Sequence, residues 1–211
     1  MTPRNIDQNI KRLIHKLNAT HEPIFVKVIP EKGSQVKDCF MIVREKVKNA
    51  GGRMILGWQI WETKYLVEAE FHAVWENPNE ELIDLTPKEI TNINKILFVE
   101  DENLVYEEKQ VDNVRLNISS NELVDDLINV SKAIFRFNNR GLRAEMYGAD
   151  LIASLNDREI NHIKYLQVLQ EMISALLFSK GRRTSPCPCN SGKKFKECHG
   201  NNLLARVSKI V

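Results

Sequence analysis

The chain has 211 residues, 43% hydrophobic and 27% charged, with a formal net charge of +2. That length allows one sizeable core plus an appendage, and the composition is that of a globular protein, not of a disordered or fibrous one. No run of about eighteen apolar residues exists, and Met1-Thr2-Pro3-Arg4-Asn5 leads into an amphipathic segment, so a membrane span and a secretory leader are both disfavoured and a cytoplasmic location is expected.

Ile6, Ile10, Leu13, Ile14 and Leu17 recur at helical spacing and predict a helix over 6–18. Ile24-Phe25-Val26-Lys27-Val28-Ile29-Pro30 reads as a short strand and 31–34 as a loop. Cys39 heads a second helix, which carries Val43 and Val47 and stops at Gly51-Gly52. β-Rich runs follow at 53–62, 65–75 and 81–86, the last two joined by a turn centred on Pro78, with a further strand at 96–99. Trp58, Trp61 and Trp75 all fall in these runs, where core packing is their ordinary role. Ser119 with Glu122 predicts a capping box that opens a helix over 121–138. A last helix spans 157–179, and 180–185 forms a basic linker. The expected class is α+β.

Three of the four cysteines crowd the C-terminal segment, as Cys187-Pro188-Cys189-Asn190-Ser191-Gly192-Lys193-Lys194-Phe195-Lys196-Glu197-Cys198-His199-Gly200. Cysteines one residue apart are poorly placed to bridge each other. Three thiols beside an imidazole suit a metal better than a disulfide framework. Cys187, Cys189, Cys198 and His199 are the donor set of a closed tetrahedral Zn2+ site. Asn190-Ser191-Gly192 supplies a tight turn that aims N–H groups at the thiolates. Reduced thiols kept for a metal also fit a reducing compartment.

This stretch, over residues 185–201, resembles the SEC-C motif, the zinc knuckle at the C terminus of the preprotein translocase SecA. The resemblance implies docking to a protein partner or the ribosome and no chemistry of its own. Charge agrees with docking. From residue 181 onward the basic residues are Arg182, Arg183, Lys193, Lys194, Lys196, Arg206 and Lys209 against Glu197 alone, a net of +6 that leaves −4 on the first 180 residues. A small basic module on an acidic body suits an anionic partner such as rRNA or an acidic protein surface; lysines that simply face water are the plainer alternative. The expected division is therefore a body over 1–180 and a zinc module over 181–211.

Cys39 stands outside that cluster. A cysteine at a helix N-terminus meets the positive end of the helix dipole and loses its proton more readily. His72 and Asp84 follow on consecutive strands. If the turn is centred on Pro78, antiparallel partners sum to 156 and the two residues face each other. Nucleophile, base and orienting carboxylate can then assemble. The alternatives are an inert buried thiol and a structural His–Asp pair.

The surrounding words, Gly51-Gly52, Gly57-Trp58, Phe71-His72-Ala73-Val74-Trp75 and Leu82-Ile83-Asp84-Leu85-Thr86-Pro87, resemble the transglutaminase-like branch of the papain-type cysteine hydrolases. The Trp lies three residues after His72 where that branch has it two after, a departure. The resemblance implies a core over 20–105 with a helix on an antiparallel sheet. In it Cys39 is nucleophile, His72 general base and Asp84 the orienting carboxylate. It further implies peptidase, deamidase or transglutaminase chemistry on a protein or peptide amide. Gln35, four residues before Cys39, is a side-chain donor for an oxyanion, with Trp58, Trp61 or the Cys39 backbone N–H as alternatives. Glu68 and Glu70 share the strand parity of His72; an exposed sheet face is their ordinary role, and if they line the cleft they favour basic substrates. The competing function is a non-enzymatic adaptor that binds a partner through the knuckle; a third, direct nucleic-acid binding, rests only on the basic tail.

Overall fold

Asp7 opens helix α1 (Gln8–Leu17), its carboxylate accepting from the backbone N–H groups of Asn9 and Ile10. The cap, and not the first apolar residue, sets the boundary, so the helix starts after Ile6. The strands are β1 (Ile24–Val28), β2 (Arg53–Glu62), β3 (Leu66–Glu76), β4 (Leu82–Asp84), β5 (Lys95–Glu100) and β6 (Val114–Asn117). Helix α2 (Cys39–Ala50) begins at Cys39, as its sequence predicts. The computed structural model describes residues 1–90, 92–146 and 148–210.

The sheet closes on itself. β2 pairs with β3 along its whole length and with β5 over Gly57–Ile60, while β5, β1, β4 and β3 follow in order. The result is a five-stranded barrel with β6 added to β3. All pairs are antiparallel except β1 with β4, which run parallel. The sequence predicts an antiparallel sheet; the parallel pair and the closure arise between strands far apart in the chain.

Alternation along the strands gives the barrel two faces. Val26, Ile55, Val74, Ile96 and Phe98 fill the interior. Trp58, Ile60, Val67, Ala69, Phe71, Leu97 and Val99 point outward and pack with Ile10 and Leu13 of α1. Gly57 lies on the inner face opposite His72. A Cβ there would sit 2.1 Å from the Val99 carbonyl oxygen and 2.5 Å from the Phe98 ring, so only glycine fits.

One seam remains in the wall. On the edge of β3 away from β2, β6 pairs with Leu66–Ala69 and β4 with Trp75 and Glu76. Residues 70–74, His72 among them, have no ladder partner on that edge among the described residues.

By contacts, residues 1–107 and 113–118 form one unit, and 108–112 and 119–211 a second. The second contains helices α3 (Glu122–Asn138), α4 (Gly148–Ala153), α5 (Asp157–Phe178) and α6 (Leu203–Val207) with the cysteine cluster. The helices that the sequence groups with the body thus share a unit with the knuckle. α3 packs on α5 through Leu123, Val130 and Ala133 against Leu166, Leu169 and Ile173, all fully buried. The cap of α3 is Asn121, which accepts from the Leu123 N–H, while Ser119 accepts from Asn121. A capping box occurs instead at α5, between Asn156 and Glu159.

Candidate functional site

Cys39 is buried among Val43, Ala73, Trp75 and Leu85. Its neighbour Phe40 fixes the start of α2, stacking on Tyr106 with ring centroids 3.8 Å apart and tilting against Phe71 at 4.8 Å. His72 is buried on the inner face of β3 and Asp84 is fully buried. His72 Nε2 bonds to Asp84 Oδ1 at 3.1 Å, and the same oxygen accepts from the Thr86 N–H at 2.9 Å. Cys39 and the His72 ring line the same cavity. With Nε2 on Asp84, Nδ1 is the nitrogen left for sulfur. Cys39 packs with outward-facing residues and His72 faces inward; they meet at the unpaired edge of β3.

The register differs from the expected one. Trp75 pairs with Ile83 and Glu76 with Leu82, so the index sum is 158 and the turn centres on Asn79. The Asn77 side chain sets it, its Oδ1 accepting from the N–H groups of Asn79 and Glu81 at 2.9 Å each. A shift of two preserves strand parity. Asp84 therefore stays on the face of His72 but lies diagonal to it.

Two polar residues extend the pair. Lys88 Nζ lies 2.5 Å from Asp84 Oδ2 and donates to Gln59 Oε1 at 2.9 Å. Burial disfavours a charged ring at His72, but the Asp84 hydrogen bond, with the nearby Cys39 side chain and the Asp84 charge, outweighs it and raises the group to about 9. Burial would likewise raise Asp84, but the hydrogen bond and charge of His72, then Lys88, pull it down to about 2. Both shifts favour an ionised His72–Asp84 pair.

A cavity of about 390 Å³ opens over this group, lined by Cys39, His72, Gln59 and Thr86. Trp61, Glu68 and Glu70 also line it, so the two glutamates serve the cavity and not only an exposed sheet face. Glu68 is paired with Arg115 at 2.7 Å, and Glu70 accepts from the Trp61 indole N–H at 2.6 Å. Gln35 is exposed in the loop before α2 and is not among the described lining residues. Trp58 points outward, its indole N–H on Asp101. The sequence alone does not single out Lys88 or Gln59. Lys88 lies four residues after Asp84, the one local signal it offers, and Gln59 shares the parity of Gly57, opposite His72.

The second cluster is in the C-terminal unit. Its turn has left-handed backbone at Asn190 and Gly192, with Pro186 bridged to Lys194 and the Cys187 N–H donating to the Lys193 carbonyl. The ligand atoms of Cys187, Cys189, Cys198 and His199 all lie within 4.8 Å of one another. Cys187 Sγ is 3.2 Å from His199 Nδ1, Cys189 Sγ is 3.4 Å from Cys187 Sγ and 3.6 Å from Cys198 Sγ, and Cys198 Sγ is 3.4 Å from His199 Nδ1. Tetrahedral bonds of about 2.0–2.3 Å give donor separations of roughly 3.5–3.8 Å. The four donors fit a metal ion. The Ser191 hydroxyl, 3.3 Å from Cys189 Sγ, and then Cys187 hold Cys189 down to about 6, whereas burial pushes Cys187 up.

Phe195, fully buried, is the knuckle's own core. Gly200 must be glycine because a Cβ would sit 2.6 Å from the Phe195 ring. Arg183 ties the module to α3: its guanidinium lies 3.0 Å from Asp126 Oδ2 and donates to the Gly200 carbonyl at 2.5 Å. Removing one partner of such a pair strands the other. Arg183→Ala is expected to destabilise the C-terminal unit by on the order of 3 kcal/mol, read from the urea midpoint; a change within error would show the pair to be idle.

Residues 183–201 match the SEC-C motif. The chain is 31% identical over 146 residues to protein translocase subunit SecA of Campylobacter jejuni subsp. doylei, covering 59% of this chain and 17% of that protein. It is 42% identical over 48 residues to SecA of Orientia tsutsugamushi strain Boryong, covering 23% and 6%. It is 76% identical over 21 residues to SecA of Porphyromonas gingivalis strain W83, covering 10% and 2%. The chain thus spans less than a fifth of the length of these relatives, and identity is highest in the shortest match. No solved structure matches the chain. Among the described residues no helix is long and apolar enough to cross a membrane.

Proposed function

We propose that the barrel is a thiol-dependent amide hydrolase or transferase and that the knuckle, holding Zn2+, docks it to a partner. One observation carries the catalytic reading: buried His72 is hydrogen-bonded to Asp84 and shares the wall of a cavity with Cys39. Cys39 at the head of a helix, with histidine and aspartate on neighbouring strands, supports the likeness to the papain and transglutaminase core.

In this reading the Cys39 thiolate attacks the carbonyl carbon of a protein or peptide amide. The His72 imidazolium gives its proton to the leaving amine as the C–N bond breaks. Water, or an acceptor amine, then attacks the thioester while neutral His72 takes its proton, and sulfur leaves as thiolate. Asp84, pinned by Lys88 and the Thr86 N–H, stays ionised, fixes the ring and keeps Nδ1 towards sulfur.

Cys187, Cys189, Cys198 and His199 would hold Zn2+, which when bound crosslinks the turn to the segment before α6. Lys193, Lys194 and Lys196 are exposed on that module and present positive charge to an acidic protein surface or to rRNA. The likeness to the SecA tail favours a protein partner. It also supports the second reading, in which the barrel only binds and the chain is an adaptor.

Alkylation separates the two. A free thiol is only a few per cent ionised at neutral pH, so iodoacetamide is expected to label Cys39 about 10-fold or more faster in the parent than in His72→Ala, read at the Cys39 peptide by mass spectrometry. Equal and slow labelling in both proteins would leave the adaptor.

A further inference from the structure

Gln59 is 1% exposed and lines the cavity, yet among the described residues its side-chain nitrogen Nε2 has no hydrogen-bond partner. Its orientation is not arbitrary. The ammonium of Lys88 can only donate, so the group 2.9 Å from it is the amide oxygen. Lys88 is itself held by Asp84 Oδ2 at 2.5 Å. The chain Asp84–Lys88–Gln59 therefore leaves the two N–H bonds of Gln59 without an acceptor among the described residues. A buried donor left without an acceptor costs free energy, and such groups are rare unless something supplies the acceptor.

Thr86 repeats the pattern. Its hydroxyl oxygen is buried, lines the same cavity and has no partner, because the backbone N–H and not the hydroxyl serves Asp84. Thr86 lies two residues after Asp84, which is hydrogen-bonded to His72, and Gln59 follows Gly57, which is opposite His72, on the same face of β2. Both donors line the cavity that His72 and Cys39 also line.

We infer that Gln59 Nε2, with Thr86 Oγ1 beside it, receives the carbonyl oxygen of the substrate as negative charge develops there. The inference rests on the reading of Cys39 as nucleophile and names the residues that complete it. As the S–C bond forms, the C=O electron pair moves to oxygen, and the two donors bind that oxyanion. The pair returns as the C–N bond breaks, and the amine leaves with the proton from His72. A donor already fixed in a water-poor site stabilises the charge without reorganising. Gln59 takes the place that the sequence gives to Gln35.

Two probes that share the nucleophile separate the steps. p-Nitrophenyl acetate acetylates Cys39 through a tetrahedral oxyanion, with p-nitrophenolate as leaving group. Iodoacetamide alkylates the same sulfur by displacing iodide, with no charge developing on a carbonyl oxygen. In the full chain, Gln59→Met is expected to slow acetylation of Cys39 about 10²-fold while alkylation stays within about two-fold of the parent. Thr86→Val, of nearly equal shape, is expected to slow acetylation about 10-fold on the same reasoning and tests the site independently if Gln59→Met does not fold. Acetylation unchanged in either folded variant, with Cys39 reactive to both probes, overturns the assignment of that donor. A parent whose Cys39 takes neither probe overturns the nucleophile and the oxyanion site together.

Discussion

Removing the metal with a chelator is expected to unfold the knuckle, raising amide exchange across residues 187–200 by at least about 10²-fold while the barrel strands keep their protection. Metal binding to structural sites of this kind is worth about 10–16 kcal/mol at neutral pH, far more than the small core around Phe195 can supply. Cys187, Cys189 and Cys198 then face each other at 3.4–3.6 Å with His199, where uncompensated thiolates repel. Cys198→Ala is expected to reproduce the chelated state without any chelator. Elemental analysis of the purified chain should find one zinc per molecule. A knuckle whose exchange is unchanged on chelation would mean that Phe195, Leu203 and Val207 hold it without metal.

The second large effect is a stability profile of the barrel with two limbs. His72 has its pKa raised from 6.5 to about 9. The folded state binds its proton more tightly than the unfolded one, so the gain is complete below pH 6.5 and is lost as pH rises through about 9. Asp84 has its pKa lowered from 3.8 to about 2. Its gain is complete above pH 3.8 and is lost as pH falls towards about 2. Urea unfolding monitored in the barrel should therefore show a plateau between those inner values. The alkaline limb should fall by on the order of 3 kcal/mol, about two and a half pKa units. Asp84→Asn is expected to remove the acid limb and to shrink the alkaline one, because the two belong to one pair and do not add. An alkaline limb unchanged in Asp84→Asn would mean that another group carries it.

Local chemistry was legible in the chain and long-range pairing was not. The helix start at Cys39 and the shared strand parity of His72, Glu68 and Glu70 follow from nearest neighbours, and the structure has both, whereas the caps fall at Asp7, Asn121 and Asn156 and not at Ser119. The Asn77 side chain moved the β3–β4 register by two, a turn effect invisible in strand spacing, and an even shift left His72 and Asp84 in contact. Lys88 and Gln59 gained meaning only when β1 met β4 in parallel and β5 closed against β2, pairings between segments tens of residues apart. β6 escaped notice because Val-Arg-Leu-Asn is short and only half-buried, with no alternation to mark it. The grouping of α3 and α5 with the knuckle rests on Arg183 with Asp126 and on the Asn121 amide donating to the Gly181 carbonyl, contacts that composition does not announce.

The Phe98 ring pressed against Gly57 has a further consequence for traffic. Below His72 the barrel is plugged by Phe98, Ile55, Val74, Ile96 and Val26, all buried, so the cavity is a blind pocket on that side. In the proposed reaction neither the departing amine nor the incoming water or acceptor can pass through that plugged side. The first product has to clear before the second reactant enters, and the kinetic order that this imposes is ping-pong, with the acyl group waiting on Cys39 between visits.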